Sequence, residues 1–486
     1  MAVLGWVSAR RFGCRSERDT GGTTAHYGAF SAFRCILHAS DRPPGRRSHD
    51  NRFSMPATAP ALRGVHPRKA FPPPVPRPSL ALWPDLAALE NDDLAWALFF
   101  VCRRVQDVAT APRGSLKPWK RADDVRNAAT SAPEIASVLR RLADELEPAI
   151  PESRSTIARA CHEISSWAAD LARGELAIQL SEAAMAIQPR SARRTFEAAR
   201  MNRYFGNAGR AETHYLRAIC LARASKRWWV YVRGHLGLGL IQKGWGNHDR
   251  ALAHSSTAAR AAWKLSGEKW LAARTEHALM AHHLEADDLD SAFDHAQRAY
   301  ELMPKHNEKV PALAHDYAYY LVRVGAYHLA LPLLEMVSRR EMLPAHKVIV
   351  WSTLARAAAC LGRVREFREG EGHVEELAPS FDLHAAAAFA NLATGAFFLG
   401  LSSEAEAHAI KSIEIASTRA QVEALAVAQP LLNAIRRGEQ PASRTLLDPA
   451  EAVVELAQNL ATLLSGWRGP TWKRKQHSGS ARLGRI

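Results

Sequence analysis

Long hydrophobic runs are missing from this sequence of 486 residues. No window of 18 residues is both apolar and uncharged, and the longest candidate, Leu94 to Val101, is bounded by Asp93 and Arg103. A helix that crosses a bilayer needs about 20 apolar residues in succession, so this stretch fits a buried helix better. Residues 1–11 also lack the sustained apolar core of a secretory signal. We therefore expect a cytoplasmic protein without a transmembrane segment.

Recognisable catalytic and metal-binding motifs are missing as well. The sequence has no Gly-rich phosphate loop, HExxH, GxSxG or EF-hand spacing. The six cysteines stand far apart without a CxxC pair, which fits reduced thiols better than a disulfide framework or a zinc site. Cys161 and His162 are adjacent, but a catalytic pair needs closeness in space, and a core cysteine explains Cys161 more simply. His282 and His283 point about 100° apart on a helix and cannot chelate one metal together. We predict no enzymatic activity, no cofactor and no metal site.

Charge is unevenly distributed along the chain. The formal net charge is +15 and the isoelectric point is near 9.8, values typical of a protein that binds nucleic acid or an anionic surface. Residues 1–80 hold 13 Lys and Arg against four Asp and Glu, and residues 467–486 hold six against none. These two segments account for the whole excess, so the residues between them are neutral. The basicity therefore belongs to two tails and does not describe a basic globule.

The composition of both tails argues against packed structure. Residues 1–80 contain ten of the 26 prolines, which remove backbone donors, and we predict a disordered Pro/Arg-rich tail. Met55 is an alternative start of translation, and that question stays open. In residues 467–486, tryptophans alternate with lysines and arginines, a pattern that can contact nucleic acid or an anionic membrane surface. A short solvated basic tail is the favoured alternative.

The region between the tails has the pattern of an all-α protein. From Ala81 to about Gly466, apolar residues recur at positions i, i+3, i+4 and i+7, and glycines fall between the segments. We expect residues 85–150 to form irregular helices that cap the front of the body and residues 421–466 to form C-terminal capping helices. Asp448, Pro449 and Glu451 look like a helix start, and the stripe of apolar residues after them predicts a helix that covers the last repeat.

A repeat of small residues runs through this region. Anchor positions at 177, 211, 251, 292, 330, 367 and 405 follow one another at intervals of 34 to 41 residues. A glycine would end the first helix of each unit, and a small residue early in the second helix would let the two helices approach closely. One helix pair cannot bury its apolar face alone, so neighbouring pairs must stack.

Three instances of the repeat carry a family resemblance. They are Gly206-Ala211-Tyr215-Ala218, Leu238-Gly239-Gly246-Ala251-Ala258 and Ala292-Ala299-Pro304. This pattern resembles the tetratricopeptide repeat (TPR) family, and the resemblance covers residues 155–420. It implies a right-handed α-solenoid of about seven stacked helix-turn-helix pairs and a non-enzymatic role in protein binding. The sequence departs from the pattern where Phe367 replaces the small residue and where Ser412 and Val337 replace the later alanine.

The first helices of the repeats predict a basic groove. Twenty-four positions share one face with the apolar anchors of these helices, and they include no Asp or Glu. This pattern favours a groove that binds an acidic or carboxylate-bearing peptide, and the alternative is a solvated or salt-bridged face. Phe196 and Leu236 occupy two expected contact sites, so the carboxylate clamp of chaperone-binding TPR proteins is not recognisable. The candidate groove residues are Arg193, Arg200, Arg203, Arg233, Lys243, Arg274, His277, His315, Tyr319 and Arg356.

Two functions are consistent with these observations. The leading hypothesis is a non-enzymatic scaffold or adaptor that binds a peptide or protein segment in the concave groove. The second is a signal-sensing TPR protein that acts on transcription, with tail contacts to nucleic acid. The second would require a DNA-binding helix-turn-helix at one end, and residues 85–150 show no clear recognition helix.

Overall fold

The computed structural model describes residues 89, 92–112, 114–265, 267–340, 342–381, 383–419, 421–440 and 449–467. These residues contain 19 α-helices and a short 3-10 helix, and no strand occurs among them. The prediction of an all-α fold is therefore confirmed. The predictions about residues 1–80, the start at Met55 and the basic tail from 468 onward lie outside the described residues.

The helices form three successive groups. Three helices come first: α1 (Asp92–Thr110), α2 (Ala122–Ala128) and α3 (Ala136–Leu146), with a 3-10 helix at Ala129–Ser131. Seven pairs follow: α4 (Arg154–Asp170) with α5 (Gly174–Ile187), α6 (Ala192–Tyr204) with α7 (Ala208–Ala224), α8 (Trp228–Gly244) with α9 (His248–Ala262), α10 (Lys269–Glu285) with α11 (Leu289–Leu302), α12 (Val310–Arg323) with α13 (Tyr327–Ser338), α14 (Pro344–Cys360) with α15 (Val364–Leu377), and α16 (Ala385–Phe398) with α17 (Ser402–Arg419). Two helices end the described chain: α18 (Val422–Arg436) and α19 (Glu451–Gly466).

The seven pairs stack in chain order, so they form the predicted α-solenoid. Within each of five pairs, the first helix ends at a glycine with a positive φ between 73° and 81°, a conformation that costs other residues steric strain. These residues are Gly206, Gly246, Gly325, Gly362 and Gly400. Because the turn after each glycine is tight, the two helices of a pair run back against each other. The predicted helix-turn-helix repeat is therefore confirmed.

Small side chains set the close approach within each pair. The anchor alanines are fully buried, as the repeat predicted. The departure at Phe367 is compensated by a distant glycine: a Cβ added at Gly395 of α16 would lie 2.9 Å from the Phe367 ring. Ser412 keeps its hydroxyl satisfied because Oγ donates to the carbonyl of Ala386 at 2.7 Å. A large residue in one helix is thus matched by a small residue in the neighbouring pair.

The N-terminal helices share their core with the first helix pair. Buried residues of α1, α2 and α3 belong to the same apolar cluster as those of α4 and α5. The buried side chain of Arg104 donates hydrogen bonds to the carbonyls of Leu146, Lys117 and Pro148, which fixes the segments after α1 and α3. Within the described ranges, no helix has the length and apolarity that a membrane crossing requires.

Helix α19 does not cover the last repeat, so that prediction is wrong. Helix α18 packs on the last pair, whereas α19 packs against α11, α12 and α13 in the middle of the solenoid. Its buried stripe of Val453, Leu456, Leu460 and Leu464 joins the apolar core of those helices. The Tyr317 hydroxyl donates to the Val453 carbonyl at 2.8 Å, and Trp467 Nε1 donates to the Asn307 carbonyl at 3.0 Å.

The packing between the fourth and fifth pairs explains this position. The fourth and fifth helix pairs contact each other less than any other two consecutive pairs do, and α19 fills the apolar space that results. Helix α18 already covers the last pair, and the apolar stripe of α19 is buried in the middle of the solenoid. The start of the helix also differs from the prediction, because it begins at Glu451 with Ala450 in the N-cap position. Asp448 lies outside the described residues.

Candidate functional site

The first helices of the pairs face a common surface inside the solenoid. Distant parts of the chain meet across this surface: Tyr204 Oη of α6 lies 3.5 Å from His346 Nε2 of α14. Helix α8 likewise reaches α18, where Lys243 Nζ is 3.8 Å from Glu423 Oε2. Because these contacts join residues more than 140 positions apart, the solenoid curves back on itself. We call the surface formed by α6, α8, α10, α12, α14 and α16 on this side the inner face.

Four cations from successive elements lie close enough on the inner face for their charges to act on one another. Arg200 lies on α6, Arg233 on α8, Arg274 on α10, and Lys309 directly before α12. Together these four residues form what we call the basic cluster. The guanidinium carbon of Arg233 stands 4.8 Å from the centroid of the Phe196 ring, so the side chain is held by a cation–π contact.

The basic cluster contains few internal hydrogen-bond acceptors. Arg274 Nη1 is 3.9 Å from Glu308 Oε1, at the outer limit of an ion pair. The Nε atoms of Arg200 and Arg233 are buried and have no hydrogen-bond partner among the described residues. An unpaired buried donor costs about 1–3 kcal/mol, and more when it is charged. The arrangement therefore leaves donors available for an anionic ligand.

Crowding of like charges is visible in the pKa values of the cluster. Burial, together with the positive charges of Arg274 and Arg200, lowers the pKa of Arg233 to about 9. Burial and the charges of Arg274, Arg233 and Arg200 also lower the pKa of Lys309 to about 7, although Glu308 acts in the opposite direction. Burial is the larger cause of both shifts, and the neighbouring positive charges act in the same direction.

The predicted groove histidines are held by an internal carboxylate. His277 Nε2 donates to Asp316 Oδ2 at 2.7 Å, and His315 Nδ1 donates to Asp316 Oδ1 at 2.8 Å. Burial alone would raise the pKa of Asp316, but these hydrogen bonds and charges hold it well below its usual range. The second nitrogen of His315 lies 3.1 Å from Thr353 Oγ1. Both histidines are thus engaged within the protein.

Lys243 is also neutralised internally. Its Nζ lies 3.0 Å from Glu285 Oε1 and 3.8 Å from Glu423 Oε2. Burial would lower the pKa of Lys243, but the two carboxylates raise it above its ordinary value. Burial raises the pKa of Glu423 to about 7, against the pull of Lys243. Lys243 therefore joins α8 to α10 and α18 and is poorly placed to bind a ligand.

The other predicted groove residues have contacts of their own. Arg193 is 60% exposed and pairs with Glu197 at 2.8 Å. Arg356 Nη1 donates to Asn391 Oδ1 at 3.2 Å. The Arg203 guanidinium carbon lies 5.3 Å from the centroid of the neighbouring Tyr204 ring. Tyr319 packs, partly buried, against the core shared by α11 to α14. Of the ten predicted residues, Arg200, Arg233 and Arg274 belong to the basic cluster, and Arg203 borders it, since its charge adds to the effect of burial in lowering the pKa of Arg274.

The 24 positions used for the prediction contain no Asp or Glu, but the inner face does contain carboxylates. Asp316 precedes the anchor Tyr317, Glu308 lies in the loop before α12, and Glu285 and Glu423 reach Lys243 from other elements. None of these positions belongs to the helical face used for the prediction. Lys309 was missed for the same reason, because it precedes α12 and is not at a regular face position. The sequence signal that could have placed Lys309 is the proline of Val310-Pro311, which marks the start of a first helix directly after it.

Comparisons with known proteins find similar solved structures but no family. No protein-family model matches the sequence, and the comparison with curated proteins gives no match. The chain resembles a Rap protein complexed with competence and sporulation factor at 12% identity and a TM-score of 0.38, covering 71% of this chain and 98% of that one. It resembles a chain of the APC/C hetero-tetramer Cut9-Hcn1 at 12% identity and a TM-score of 0.39, covering 72% of this chain and 63% of that one. The apo form of RapI is similar at 14% identity and a TM-score of 0.36, covering 74% of this chain and 91% of that one.

The class of protein follows from the helix pairs themselves. Stacked pairs, a glycine at the end of five first helices and buried small residues at the helix contacts define a TPR-like helical-repeat protein. Function has to be argued from the inner face, since a repeat fold shows where ligands bind but not which ones.

Proposed function

We propose that this TPR-like protein is a scaffold or adaptor that binds an acidic peptide or protein segment on its inner face. The observation that carries the proposal is the basic cluster, where Arg200, Arg233, Arg274 and Lys309 face a single internal carboxylate. Carboxylates of a ligand would accept charge-assisted hydrogen bonds from these side chains, which are about twice as strong as neutral ones. An extended or helical segment lying along several repeats fits such a surface.

The contrast with neighbouring cations supports this proposal over a purely structural role. Lys243, His277, His315 and Arg193 each have a carboxylate within ion-pair distance. A salt-bridged face would give the basic cluster similar partners. Instead, the ion pair of the cluster among the described residues is the long contact of 3.9 Å between Arg274 and Glu308. Buried charge without a close partner lowers stability, so we propose that a ligand compensates it.

The alternative of a transcriptional regulator needs a nucleic-acid contact in addition to this binding event. The described N-terminal helices bury their apolar residues against the first helix pair, and the basic tails lie outside the described residues. A role in the cytoplasm and a role in regulation both remain compatible with an acidic ligand. The scaffold or adaptor function requires only the inner face.

The proposal is tested by comparing acidic and neutral ligands of the same shape. Fluorescence anisotropy would measure binding of two labelled 12-residue peptide pools, one rich in Glu and one with Gln at the same positions. We expect the Glu pool to bind at least tenfold more tightly, and the double variant Arg233→Met/Arg274→Met to lose that preference. A tenfold change corresponds to about 1.4 kcal/mol.

A matched control separates local from general electrostatics. Arg140→Met/Arg436→Met removes the same charge from exposed positions on α3 and α18. This variant should retain the preference for the Glu pool, and thermal melts would establish that both variants are folded. Equal binding of the two pools by the wild-type protein, or equal losses in the two double variants, would reject the inner-face proposal.

A further inference from the structure

Glu308 occupies an unusual position beside the basic cluster. It lies in the loop between α11 and α12, its side chain is 48% exposed, and its nearest described cation is Arg274 at 3.9 Å. The basic cluster lowers the pKa of Glu308 despite the opposing effect of burial. A carboxylate that is attracted by several cations, yet forms only one long contact, is weakly held.

We infer that the basic cluster is a subsite for a doubly charged oxyanion, with Glu308 as an internal occupant that the ligand displaces and Lys309 as a binding cation. This inference rests on the proposed function and narrows it. The ligand chemistry is a dianionic group, such as a phosphoryl or sulfate group, or two adjacent carboxylates. The peptide experiments below distinguish whether the dianion is a phosphoryl group or a pair of carboxylates.

The local framework fixes Lys309 while leaving Glu308 accessible. The Lys309 backbone N–H donates to Asn307 Oδ1 at 2.9 Å, and the Asn307 carbonyl accepts the Trp467 indole N–H. Since Trp467 is only 5% exposed, this anchor belongs to the core. The backbone of the loop is therefore held in place, and displacement of Glu308 requires only a change of side-chain rotamer.

The number of charges favours a dianion over a monoanion. Arg200, Arg233, Arg274 and Lys309 carry four positive charges when all are protonated, and Glu308 supplies one negative charge. A monoanion that replaced Glu308 would leave the net charge of the site unchanged, so its binding would gain little electrostatic energy. A dianion would add a second negative charge in a site partly removed from water, where Coulomb interactions are stronger than in bulk solvent.

Protonation of Lys309 links this binding to pH. Burial and the facing charges of Arg274, Arg233 and Arg200 lower the pKa of Lys309 to about 7, with Glu308 opposing them. His346 on α14 also faces it, but burial and the Lys309 charge hold the pKa of His346 well below its ordinary value, so that imidazole is neutral. A bound dianion stabilises protonated Lys309 and raises its pKa. Above pH 7 binding must therefore take up a proton, and affinity falls as pH rises.

Sulfate is the probe that isolates this effect, because it stays a dianion throughout the neutral pH range. Calorimetric titrations at pH 8, at constant ionic strength and in two buffers of different ionisation enthalpy, would measure both affinity and proton uptake. For the wild-type protein we expect uptake of most of one proton per sulfate, and no comparable binding of acetate. Glu308→Gln should bind sulfate about three- to tenfold more tightly because the internal competitor is lost.

Two variants of Lys309 separate its charge from its titration. Lys309→Arg keeps a cation that does not titrate in this range, so it should bind sulfate without proton uptake. Lys309→Met should bind at least tenfold more weakly, also without uptake. If Lys309→Met fails to fold, the absence or presence of proton uptake in Lys309→Arg decides whether Lys309 is the titrating group. Proton uptake that persists in Lys309→Arg, or Glu308→Gln affinity at or below the wild-type value, would overturn the inference.

The peptide pools distinguish this result from a failure of the proposed function. Discrimination between Glu and Gln pools without sulfate-linked proton uptake would leave acidic-segment binding in place and reject the dianion subsite. Sulfate binding with proton uptake, without discrimination between the pools, would retain the anion subsite and reject an acidic peptide as its source. A phosphoserine peptide that outcompetes its serine counterpart would support a phosphoryl group as the dianion, and a Glu-Glu peptide that does so would support paired carboxylates.

Discussion

At the scale of single residues, two glycines of α15 have opposite environments. A Cβ at Gly370 would lie 2.8 Å from the Trp351 carbonyl oxygen of α14, closer than side chains normally approach a backbone. A Cβ at Gly372, two residues further along the same helix, would meet no atom within 4 Å. The close contact between α14 and α15 therefore requires glycine at the first position only.

Alanine substitutions at these glycines should change stability in opposite directions. Gly370→Ala forces α14 and α15 apart, and we expect a loss of about 1–3 kcal/mol in the free energy of unfolding. Gly372→Ala should gain up to about 1 kcal/mol, since alanine has the higher helix propensity. Urea unfolding followed by circular dichroism would measure both. Stabilisation by both substitutions would show that the two helices are not in close contact.

Sequence reasoning reached the residue scale in part. Glycines at the ends of first helices and buried anchor alanines were predictable because each acts within its own helix pair. The matching of Phe367 by Gly395 could not be predicted, because the two residues lie in different helix pairs and no local pattern links them. The same limit applies to Glu308 and Lys309, which approach the inner face from a loop outside any helical period.

At the scale of elements, α19 is the part of the fold whose position is least regular. Its apolar stripe predicted an amphipathic helix, but a stripe does not identify the surface that buries it. The docking site depends on the sparse contact between the fourth and fifth helix pairs, which arises only when the solenoid is assembled. An element that packs against helices over 100 residues earlier in the chain cannot be placed by local pattern alone.

A substitution in the stripe of α19 tests this docking. Leu460 is fully buried, whereas Gln458 on the same helix is exposed. Leu460→Ala should lower the free energy of unfolding by about 2–5 kcal/mol, the usual cost of removing a buried leucine side chain. Gln458→Ala should change it by less than about 0.5 kcal/mol. If chemical denaturation gave the same stability for both variants, α19 would not be docked in the core.

At the scale of the whole molecule, curvature decides which charged residues have partners. The solenoid brings α8 against α18, so Lys243 finds Glu423, and it brings the end of α6 against α14. Arg233 and Arg274 have no comparable set of carboxylates around them. The sequence predicted a repeat fold and cations on its first helices, because both follow from local periodicity. It did not separate paired from unpaired cations, since the partners come from distant repeats.

The central claim is that an acidic ligand contacts the inner face, and photo-cross-linking tests it most directly. A Glu-rich peptide with a diazirine group would be bound to the wild-type protein, irradiated, and its adducts mapped by peptide mass spectrometry. The basic cluster predicts adducts on α6, α8, α10 and the segment around Lys309, and their loss when sulfate is added in excess. Adducts confined to α7, α9 and α11, or unaffected by sulfate, would contradict it.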